Sequence, residues 1–343
     1  MAQPCHVALD VREASQVGYA RRQAAQWADT LGFDAEGAGR VALVATELGT
    51  NLIRHAGGGR LLIGAARGVQ GQALVELISL DQGPGIRDLS ASMVDGFSTA
   101  ATPGNGLGAV RRLSAEFDIY STCPGGTIVL ARVGDRLAHP GTVPVRSTDA
   151  FAAATVAVAA PGETVCGDAW SLAADGARLA LLMADGLGHG PDAATAAMTA
   201  VVAFDKAPFA APAQALEQMH AVMRGTRGAA VALAHVDLEA RTVRLTGAGN
   251  VATRLVSGLE DRSLVTQHGT VGVQLARVQT AEHILPPHAL VIMHTDGITS
   301  RWNFDAAPGI LQHHPAVIAG WIMRDHCRGR DDATVLVLKK RNG

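Results

Sequence analysis

The stretch LALLMADGLGHG (residues 179–190) joins a run apolar enough to form a buried strand to a glycine-rich segment that begins at Asp185 and Gly186. A second stretch, LVIMHTDGITS (residues 290–300), repeats the arrangement with Asp296 and Gly297. Asp-Gly often forms a tight turn, because glycine accepts the positive φ that a type I′ hairpin needs. Two apolar strands that both end in Asp-Gly also fit a second interpretation, in which the strand ends hold carboxylates at one shared site.

Length and composition restrict the classes of protein that need to be considered. A chain of 343 residues is long enough for two domains. Its 29 basic and 31 acidic residues form no basic block, which argues against nucleic acid or an anionic membrane as a partner. The four cysteines form no C-x-x-C pair, and no apolar run approaches the ~18 residues of a membrane span. We therefore expect a soluble, cytoplasmic protein.

The chain divides at a segment rich in glycine, proline and polar residues, GDRLAHPGTVPVRSTD (134–149). We expect one domain over residues 1–135, a linker over 136–150 and a second domain over 151–343. Helical and strand patterns alternate on both sides, which indicates an α+β protein with two domains. In the first half the pattern predicts helices at 36–55 and 105–117 and strands at 60–66, 73–80 and 128–133. In the second half it predicts a helix from about residue 192 and strands at 151–159, 178–184, 229–236, 242–247, 251–256, 289–294 and 333–338.

Polar residues and glycines of the first half are arranged as in a nucleotide pocket. Glu47 and Asn51 are four residues apart and therefore share one face of the first predicted helix. A strand then delivers Asp81 into a turn with Gly83 and Gly85, where a carboxylate can accept a hydrogen bond from an amino group such as that of adenine.

A second glycine-rich segment follows, in which Gly104, Gly106 and Gly108 precede a helix whose N-terminal amides could hold phosphates. Thr127 comes before the strand IVLARV. The segment is neither a Walker loop nor a Rossmann fingerprint, because no Gly-Lys-Ser/Thr and no acidic ribose ligand follows it.

The phrases ELGTN, DQGPGI, GNGLGAVRRL and GGT, in this order over residues 35–132, resemble the GHKL ATP-binding fold, and within it the RsbT-type serine kinases of bacterial partner-switching pathways. The resemblance implies a Bergerat α/β sandwich with helices on one face of a mixed sheet. It also implies ATP as the cosubstrate, Mg²⁺ held at Asn51, and Asp81 as the adenine-reading residue. Glu47 would be the general base that takes the hydroxyl proton during phosphoryl transfer.

Two other members of the superfamily are alternatives to a serine kinase. A histidine kinase would need a phosphoacceptor hairpin upstream, and only about 35 residues precede the helix, so His55 is better interpreted as a structural or phosphate-side residue. An anti-sigma factor of the RsbW type shares the same boxes. A module that holds ATP and sequesters a sigma factor without transferring phosphate therefore stays open.

The second half carries acidic residues near strand ends at Asp168, Asp185, Asp296, Asp331 and Asp332. Their separation excludes a local loop site such as an EF-hand. Each could be a separate strand-end turn, but carboxylates that converge at neighbouring strand ends would suit hard divalent cations. Two such cations can activate a water for attack on phosphorus.

The phrases CGDAW, ADGLGHG, GN, HTDGITS and GRDDATVLVL resemble the PP2C-type serine/threonine phosphatases over residues 152–340, in particular the SpoIIE/RsbX branch. The resemblance implies an α-β-β-α sandwich and a site for Mg²⁺ or Mn²⁺. Asp185 would bridge two metals, the Gly186 carbonyl would be a ligand, and Asp296 and Asp331 would be further ligands. Asp168 would be a second-metal or water-mediated ligand, and Asp332 would support the others.

Three motifs are interpreted as structural or left undecided. GAGNVA (247–252) lies between two predicted strands and is read as a turn, not a dinucleotide site. Cys166 has no identifiable partner histidine and is expected to be inert. His189 could contact phosphate or simply be tolerated by its loop.

Together the two resemblances imply a bifunctional regulator in which an ATP-dependent serine/threonine kinase is fused to a metal-dependent phosphatase. The implied substrate is a STAS-domain antagonist or a stressosome-type scaffold. The alternative is an ATP-binding anti-sigma factor fused to a phosphatase, with a sigma factor as its partner.

Overall fold

The computed structural model describes residues 5–68, 71–93, 106–136, 151–258 and 260–341. Two compact units are present. One contains residues 6–147 together with 304–324, and the other contains residues 1–5, 148–303 and 325–343. The first contains the region that resembles the GHKL ATP-binding fold and is called the ATPase unit for that resemblance, and the second is called the sandwich unit. Within the described residues no helix is both long enough and apolar enough to cross a membrane.

The ATPase unit contains a five-stranded sheet in the order β1-β2-β3-β5-β4. Its strands are β1 (Val7–Val11), β2 (Gly59–Arg67), β3 (Ala73–Leu80), β4 (Glu116–Thr122) and β5 (Gly126–Gly134). Its helices are α1 (Ala14–Thr30), α2 (Ala35–Ala56), α3 (Leu89–Ser92), α4 (Gly106–Leu113) and α7 (Pro315–His326), whose last two residues lie in the sandwich unit.

Helix α2 carries the first candidate residues and has well-defined ends. Asp34 caps it by accepting a hydrogen bond from the Gly37 amide at 2.7 Å, and Gly57 ends it in the left-handed conformation with φ 71°. Its apolar stripe packs with α1 against the sheet and includes Val41, Val44, Ala45, Leu48 and Leu52. The polar face that carries Glu47 and Asn51 is therefore fixed in direction.

Three details of the expected ATP-binding fold are corrected by the structure. The sheet is antiparallel at every described pairing and not mixed, because hairpins join β2 to β3 and β4 to β5 while a helix pair returns the chain from β1 to β2. The helix expected over 105–117 ends at Leu113, and β4 begins at Glu116. Helices cover both faces of the sheet, since Gly320 of α7 packs near Ile78, Leu80 and Ile128.

The sandwich unit contains two five-stranded antiparallel sheets, in the orders β15-β10-β9-β8-β7 and β12-β11-β16-β17-β6. The strands of the first sheet are β7 (Asp168–Asp175), β8 (Arg178–Gly186), β9 (Ala229–Asp237), β10 (Thr242–Ala248) and β15 (Ala281–Ile284). Those of the second are β6 (Phe151–Val158), β11 (Ala252–Val256), β12 (Asp261–Leu264), β16 (Leu290–His294) and β17 (Ala333–Lys340). A small hairpin is formed by β13 (Gly269–Thr270) and β14 (Gln274–Leu275).

The core between the two sheets draws buried residues from both, among them Leu181, Met183, Val291 and Leu336. Helices α5 (Pro191–Lys206) and α6 (Pro212–Val222) pack on the outer face of the first sheet through a second core that includes Phe204 and Leu216. This layering positions the ends of β7, β8 and β16, where the candidate carboxylates lie.

The compact units do not follow the boundaries expected from the sequence. The linker region from 137 to 150 lies outside the described residues. Residues 304–324, which the sequence places in the second domain, group with the ATPase unit. The physical reason is that α7 is buried from Pro315 to Met323 on all sides, so it fits a position inside a core and not an outer layer with one solvent face.

Candidate active sites

The first candidate site forms where α2 meets the start of α4. A methyl group added to Gly106 would lie 3.2 Å from Glu47 Oε2 and 3.4 Å from Asn51 Oδ1. The N-terminus of α4 therefore faces both side chains, and the partial positive charge of a helix N-terminus favours a negatively charged ligand there. Gly108 is buried in α4, whereas Gly104 lies outside the described residues.

Asp81 lies at the end of β3 and is held by backbone groups on two sides. Its Oδ1 accepts hydrogen bonds from the Gly83 amide at 2.9 Å and the Thr127 amide at 3.1 Å. Its own amide donates to the Thr127 carbonyl at 3.0 Å. Burial raises the pKa of Asp81, and the two amide hydrogen bonds oppose that increase. The carboxylate is thus fixed in direction and partly desolvated, as recognition of an amino group requires.

The glycines around Asp81 are required by close contacts. A methyl group at Gly83 would lie 2.7 Å from the Ala56 Cα, and one at Gly85, where φ is 74°, would lie 2.1 Å from the Thr122 carbonyl oxygen. Thr127 is buried and its hydroxyl lies 2.9 Å from that of Ser121. The sequence-predicted residues Glu47, Asn51, Asp81, Gly83, Gly85, Gly106, Gly108 and Thr127 therefore all lie on elements of one unit. These groups fit a nucleotide with its adenine at Asp81 and its phosphates near α4.

The second candidate site lies at the ends of β7 and β8. Asp168 and Asp185 are directly opposite each other in the antiparallel pair, so their side chains emerge on the same face of the sheet. The Thr295 hydroxyl donates to Asp168 Oδ2 at 2.8 Å, and the Thr334 amide donates to the Thr295 hydroxyl at 2.9 Å. The second sheet therefore positions a carboxylate that belongs to the first.

The acidic side chains of this site interact strongly with one another. Burial, followed by the negative charges of Asp296 and Asp331, raises the pKa of Asp185 to about 7. Burial and the charge of Asp185 hold the pKa of Asp168 well above its usual range. Such repulsion is relieved when a cation enters, and oxygen-only ligands are those that Mg²⁺ and Mn²⁺ prefer. The donor set fits a hard divalent cation.

As they stand, no three His, Cys, Asp or Glu side chains of the described residues form a group that could hold a metal ion. Single carboxylates are instead held by polar partners. The Asn250 amide donates to Asp296 Oδ2 at 2.7 Å, and Asp332 Oδ1 accepts the Ala160 amide at 2.8 Å. Asp331 Oδ1 accepts the Asp332 amide at 2.9 Å. Backbone carbonyls such as that of Gly186 and waters would complete an ion's shell.

Both Asp-Gly glycines are required by close packing, but only Gly297 lies in a turn, which the Ile298 amide closes by donating to the Thr295 carbonyl at 3.2 Å. Neither Gly186 nor Gly297 has a positive φ. A methyl group at Gly186 would lie 2.1 Å from the Ala193 carbonyl oxygen, and one at Gly297 would lie 2.0 Å from the Asp332 carbonyl oxygen. Positive φ values follow later in the first stretch, at Gly188 and Gly190 with φ 84° and 77°. The interpretation as a type I′ hairpin turn is therefore wrong for both stretches, although Asp296 and Gly297 do form a turn of another kind.

The remaining motifs have structural explanations. GAGNVA connects β10 to β11 without a helix, as predicted, although its Asn250 contributes the hydrogen bond to Asp296. Burial and the charge of Asp168 raise the pKa of the Cys166 thiol far above its ordinary value, which makes it a poor nucleophile. The His189 Nδ1 lies 2.7 Å from Glu163 Oε1, so this side chain helps to fix the glycine-rich loop.

Sequence analysis did not predict the supporting residues Asn250, Thr295 and Thr334 beside the acidic cluster. They lie within the phrases GN, HTDG and DDAT that carry the resemblance. A hydroxyl or amide side chain in such a phrase could have been predicted to position a candidate ligand. Arg324, whose Nη1 donates to the Asp81 carbonyl at 2.7 Å, was also missed. It is distant in sequence and no local motif points to it.

Comparison with known proteins supports the resemblance stated for each half of the chain. Residues 11–133 match the histidine kinase-like ATPase domain family, and residues 175–341 match the family of stage II sporulation protein E (SpoIIE). The serine/threonine-protein kinase RsbT of Bacillus subtilis (strain 168) is 39% identical over 114 residues, which are 33% of this chain and 84% of RsbT.

Solved structures also resemble the chain. One described as "The bacterial stressosome: a modular system that has been adapted to control secondary messenger signaling" is 25% identical with a TM-score of 0.52, over 55% of this chain and 98% of that chain. RsbX in complex with magnesium is 21% identical with a TM-score of 0.48, over 56% of this chain and 96% of that chain.

The matched families define the class of the protein: it is a serine/threonine phosphatase that also carries a kinase-like ATPase domain and uses a nucleotide. Through its first domain the chain belongs to the RsbT family of serine/threonine-protein kinases, and its residues 175–341 match the SpoIIE family.

Proposed function

We propose that the chain is a bifunctional partner-switching regulator, which phosphorylates a serine or threonine of a STAS-domain or stressosome-type protein and also removes phosphate from such residues. The observation that carries the proposal is the presence of two groups of polar residues in one chain, one in each unit. Glu47 and Asn51 meet the N-terminus of α4 in one unit, and Asp168 and Asp185 form a coupled carboxylate pair in the other.

In the kinase reaction the chain's own groups bind, orient and accept a proton. Asp81, fixed by the Gly83 and Thr127 amides, selects the adenine of ATP. The N-terminus of α4 and the Asn51 side chain hold the phosphates with Mg²⁺. Glu47 lies on the same face of α2 and takes the proton of the attacking hydroxyl, so that the γ-phosphoryl group moves from ATP to the protein oxygen.

In the phosphatase reaction the acidic residues would bind the cations, and two of them, Asp168 and Asp185, lie opposite each other on the paired strands β7 and β8. Asp185, Asp296, Asp331 and the Gly186 carbonyl would hold Mg²⁺ or Mn²⁺, and Asp168 would act directly or through water. When bound, such cations lower the pKa of water and stabilise charge on the phosphoryl group. Thr295 and Asn250 keep Asp168 and Asp296 in place through their hydrogen bonds.

Two substitutions separate the kinase roles. We expect Glu47→Ala to abolish phosphoryl transfer to a STAS-domain protein while ATP binding persists, because the base acts on the protein hydroxyl and not on the nucleotide. Asp81→Asn should weaken ATP binding itself. The measurements are radiolabelled transfer from ATP and nucleotide titration of the full chain. A loss of ATP affinity in Glu47→Ala as large as that in Asp81→Asn would remove Glu47 from the role of base.

The second candidate function is an ATP-binding anti-sigma factor joined to a phosphatase, which is favoured by the boxes that RsbW-type proteins share with kinases. It predicts stoichiometric capture of a sigma factor with no label transferred to a STAS-domain protein. Affinity capture with the intact protein, followed by phosphosite mapping of what binds, distinguishes this outcome from catalytic phosphorylation.

A further inference from the structure

Residues 304–324 are attached to the ATPase unit at the edge strand β4. Asp118 accepts a hydrogen bond from the His314 amide at 2.7 Å and pairs with His313 Nδ1 at 3.0 Å. The Tyr120 hydroxyl donates to the Pro308 carbonyl at 3.3 Å. These contacts fix the segment before α7 begins, although the sequence places it after the SpoIIE-type strand β16.

Helix α7 then lies against the centre of the sheet. A methyl group on Gly320 would lie 3.2 Å from Leu80 Cδ2 and 3.3 Å from Ile78 Cγ2. Both residues are fully or almost fully buried, and they belong to β3, the strand that ends at Asp81. The absence of a side chain at Gly320 lets the helix approach the sheet closely, so the position of α7 and the position of β3 depend on each other.

The end of α7 reaches the nucleotide pocket through one side chain. Arg324 Nη1 donates to the Asp81 carbonyl oxygen at 2.7 Å. A methyl group on Gly126 would lie only 2.2 Å from the same oxygen, so the Asp81 backbone is enclosed between β5 and Arg324. Three hydrogen bonds from within residues 81–127 fix the amide and carboxylate of Asp81, and Arg324 fixes its carbonyl.

The charge of Arg324 also suits the chemistry of the pocket. Burial raises the pKa of Asp81, which would favour a protonated carboxyl group, and the positive charge of Arg324 opposes that change. An ionised carboxylate is the better acceptor for the amino group of adenine. Arg324 therefore helps to fix the position of Asp81 and favours the ionised form of its carboxylate.

We propose that Arg324 is a positioning residue of the nucleotide site and that residues 304–324, which lie within the SpoIIE family match, form part of the ATP-binding unit. The inference rests on the proposed use of ATP at Asp81. It adds that adenine recognition is completed by a segment between Asp296 and Asp331, two candidate ligands of the phosphatase. ATP binding and the conformation of that segment are thermodynamically linked, so each influences the other.

The test measures nucleotide affinity in the full chain for wild type, Arg324→Ala, Arg324→Lys and Arg21→Ala. Arg21 is exposed on α1 and controls for the loss of one positive charge. We expect Arg324→Ala to weaken ATP binding about tenfold, as removal of a charged hydrogen-bond donor does. Arg324→Lys, which still donates to a carbonyl, should recover most of the affinity, and Arg21→Ala should bind as wild type does.

Ligand selectivity separates positioning from general destabilisation. Because the proposed function assigns Asp81 to the base and not to the phosphates, Arg324→Ala should reduce the preference for ATP over GTP and leave inorganic tripolyphosphate binding unchanged. Equal losses for ATP and tripolyphosphate, or unchanged ATP affinity, would overturn the proposal. A kinase that binds ATP normally but transfers no phosphate would contradict the proposed function alone, so the two failures are distinguishable.

Hydrogen exchange in the unmodified protein provides a measurement that does not depend on any variant folding. A non-hydrolysable ATP analogue should slow amide exchange over residues 315–324, because the analogue and Arg324 hold the same loop. Exchange in α6, which packs in the sandwich unit, serves as the internal comparison. No change over 315–324 in a protein saturated with the analogue would contradict the linkage.

Discussion

At the residue scale, Asp185 is the centre of the phosphatase proposal. It lies opposite Asp168 in the β7–β8 pair, and burial together with Asp296 and Asp331 raises its pKa to about 7. An acidic group under this repulsion is costly unless it serves a ligand. If Asp185 only ended a strand, its substitution would have little effect on stability or activity.

We expect Asp185→Asn to reduce metal-dependent hydrolysis of a phosphoserine peptide by orders of magnitude, because it removes one anionic oxygen from the cation site. Thermal stability without metal should stay level or rise, since one buried repulsive charge is lost. Kinase activity should persist. Near-normal metal-dependent hydrolysis by the variant would return Asp185 to a purely structural role.

The sequence predicts the Asp-Gly motif at Gly186 correctly, but the reason it suggests for the glycine is wrong. Asp-Gly suggested a positive φ, whereas the structure places the constraint in the Ala193 backbone, 2.1 Å from where a methyl group would lie. Composition and spacing carry no information on which distant backbone approaches a glycine. The position of the motif could therefore be predicted from the sequence, and the need for its glycine could not.

We predict that Gly186→Ala destabilises the sandwich unit by about 1–3 kcal/mol, because the obstructing atoms are backbone and cannot rotate away. The matched control is Gly39→Ala, on the exposed side of α2 with no atom within 4 Å, which should stabilise the ATPase unit by up to about 1 kcal/mol. Thermal unfolding of both variants without metal measures the difference. Equal stability of Gly186→Ala and wild type would contradict the close-contact explanation.

At the scale of elements, β3 contains the clearest signal that the sequence analysis left unused. Seven of its eight residues, ALVELISL, are buried, and they do not alternate between apolar and polar. A strand of this kind needs cover on both faces. The pattern could have predicted a second helical layer, but it could not identify α7 as that layer, because the packing partner lies far along the chain.

Strand β3 also carries a buried ionic cluster. Glu76 accepts hydrogen bonds from Arg132 Nε at 2.6 Å and pairs with His6 Nε2 at 2.9 Å. Burial alone would raise the pKa of Glu76, but the charge of Arg132 and the His6 hydrogen bond outweigh it and lower the pKa from 4.5 to about 2. The ionised carboxylate therefore stabilises the folded unit above pH 4.5.

This stabilisation should be lost as the pH falls from 4.5 to about 2, at a total cost of roughly 3 kcal/mol. Glu76→Gln should be less stable than wild type at pH 7 and should show a flatter dependence on pH in that window. Urea unfolding at several pH values, with the exposed Asp29→Asn as control, measures this. Parallel pH profiles for Glu76→Gln and wild type would show that Glu76 does not titrate with unfolding.

At the scale of the whole molecule, the sequence predicted two α+β domains and most of their strands correctly. Helix α2 and strands β2, β3, β5, β6, β8, β9, β10, β11, β16 and β17 lie close to their predicted positions. The largest difference from the expected organisation is that residues 304–324 group with the ATPase unit. The periodicity of a segment predicts which face of a helix is apolar, but not which unit the helix packs against. That depends on contacts between residues nearly two hundred positions apart, such as Tyr120 and Pro308.

A fragment of residues 1–150 should therefore be less stable than the same unit in the full chain. Without α7 it would expose the apolar face that includes Ile78 and Leu80, which promotes aggregation. Co-expression with residues 300–330 should recover soluble protein. Gel filtration and thermal unfolding measure both effects, and a monomeric fragment as stable as the unit in the full chain would contradict the assignment of 304–324.

The central claim is that one chain both adds and removes phosphate on a STAS-domain protein. The most direct measurement is a time course of radiolabel on that protein with ATP, Mg²⁺ and Mn²⁺, for the full-length wild type, Glu47→Ala and Asp185→Asn. We predict no label with Glu47→Ala, steady accumulation with Asp185→Asn, and a lower, declining level with wild type as ATP is consumed. Equal labelling by wild type and Asp185→Asn, or undiminished labelling by Glu47→Ala, would contradict the account.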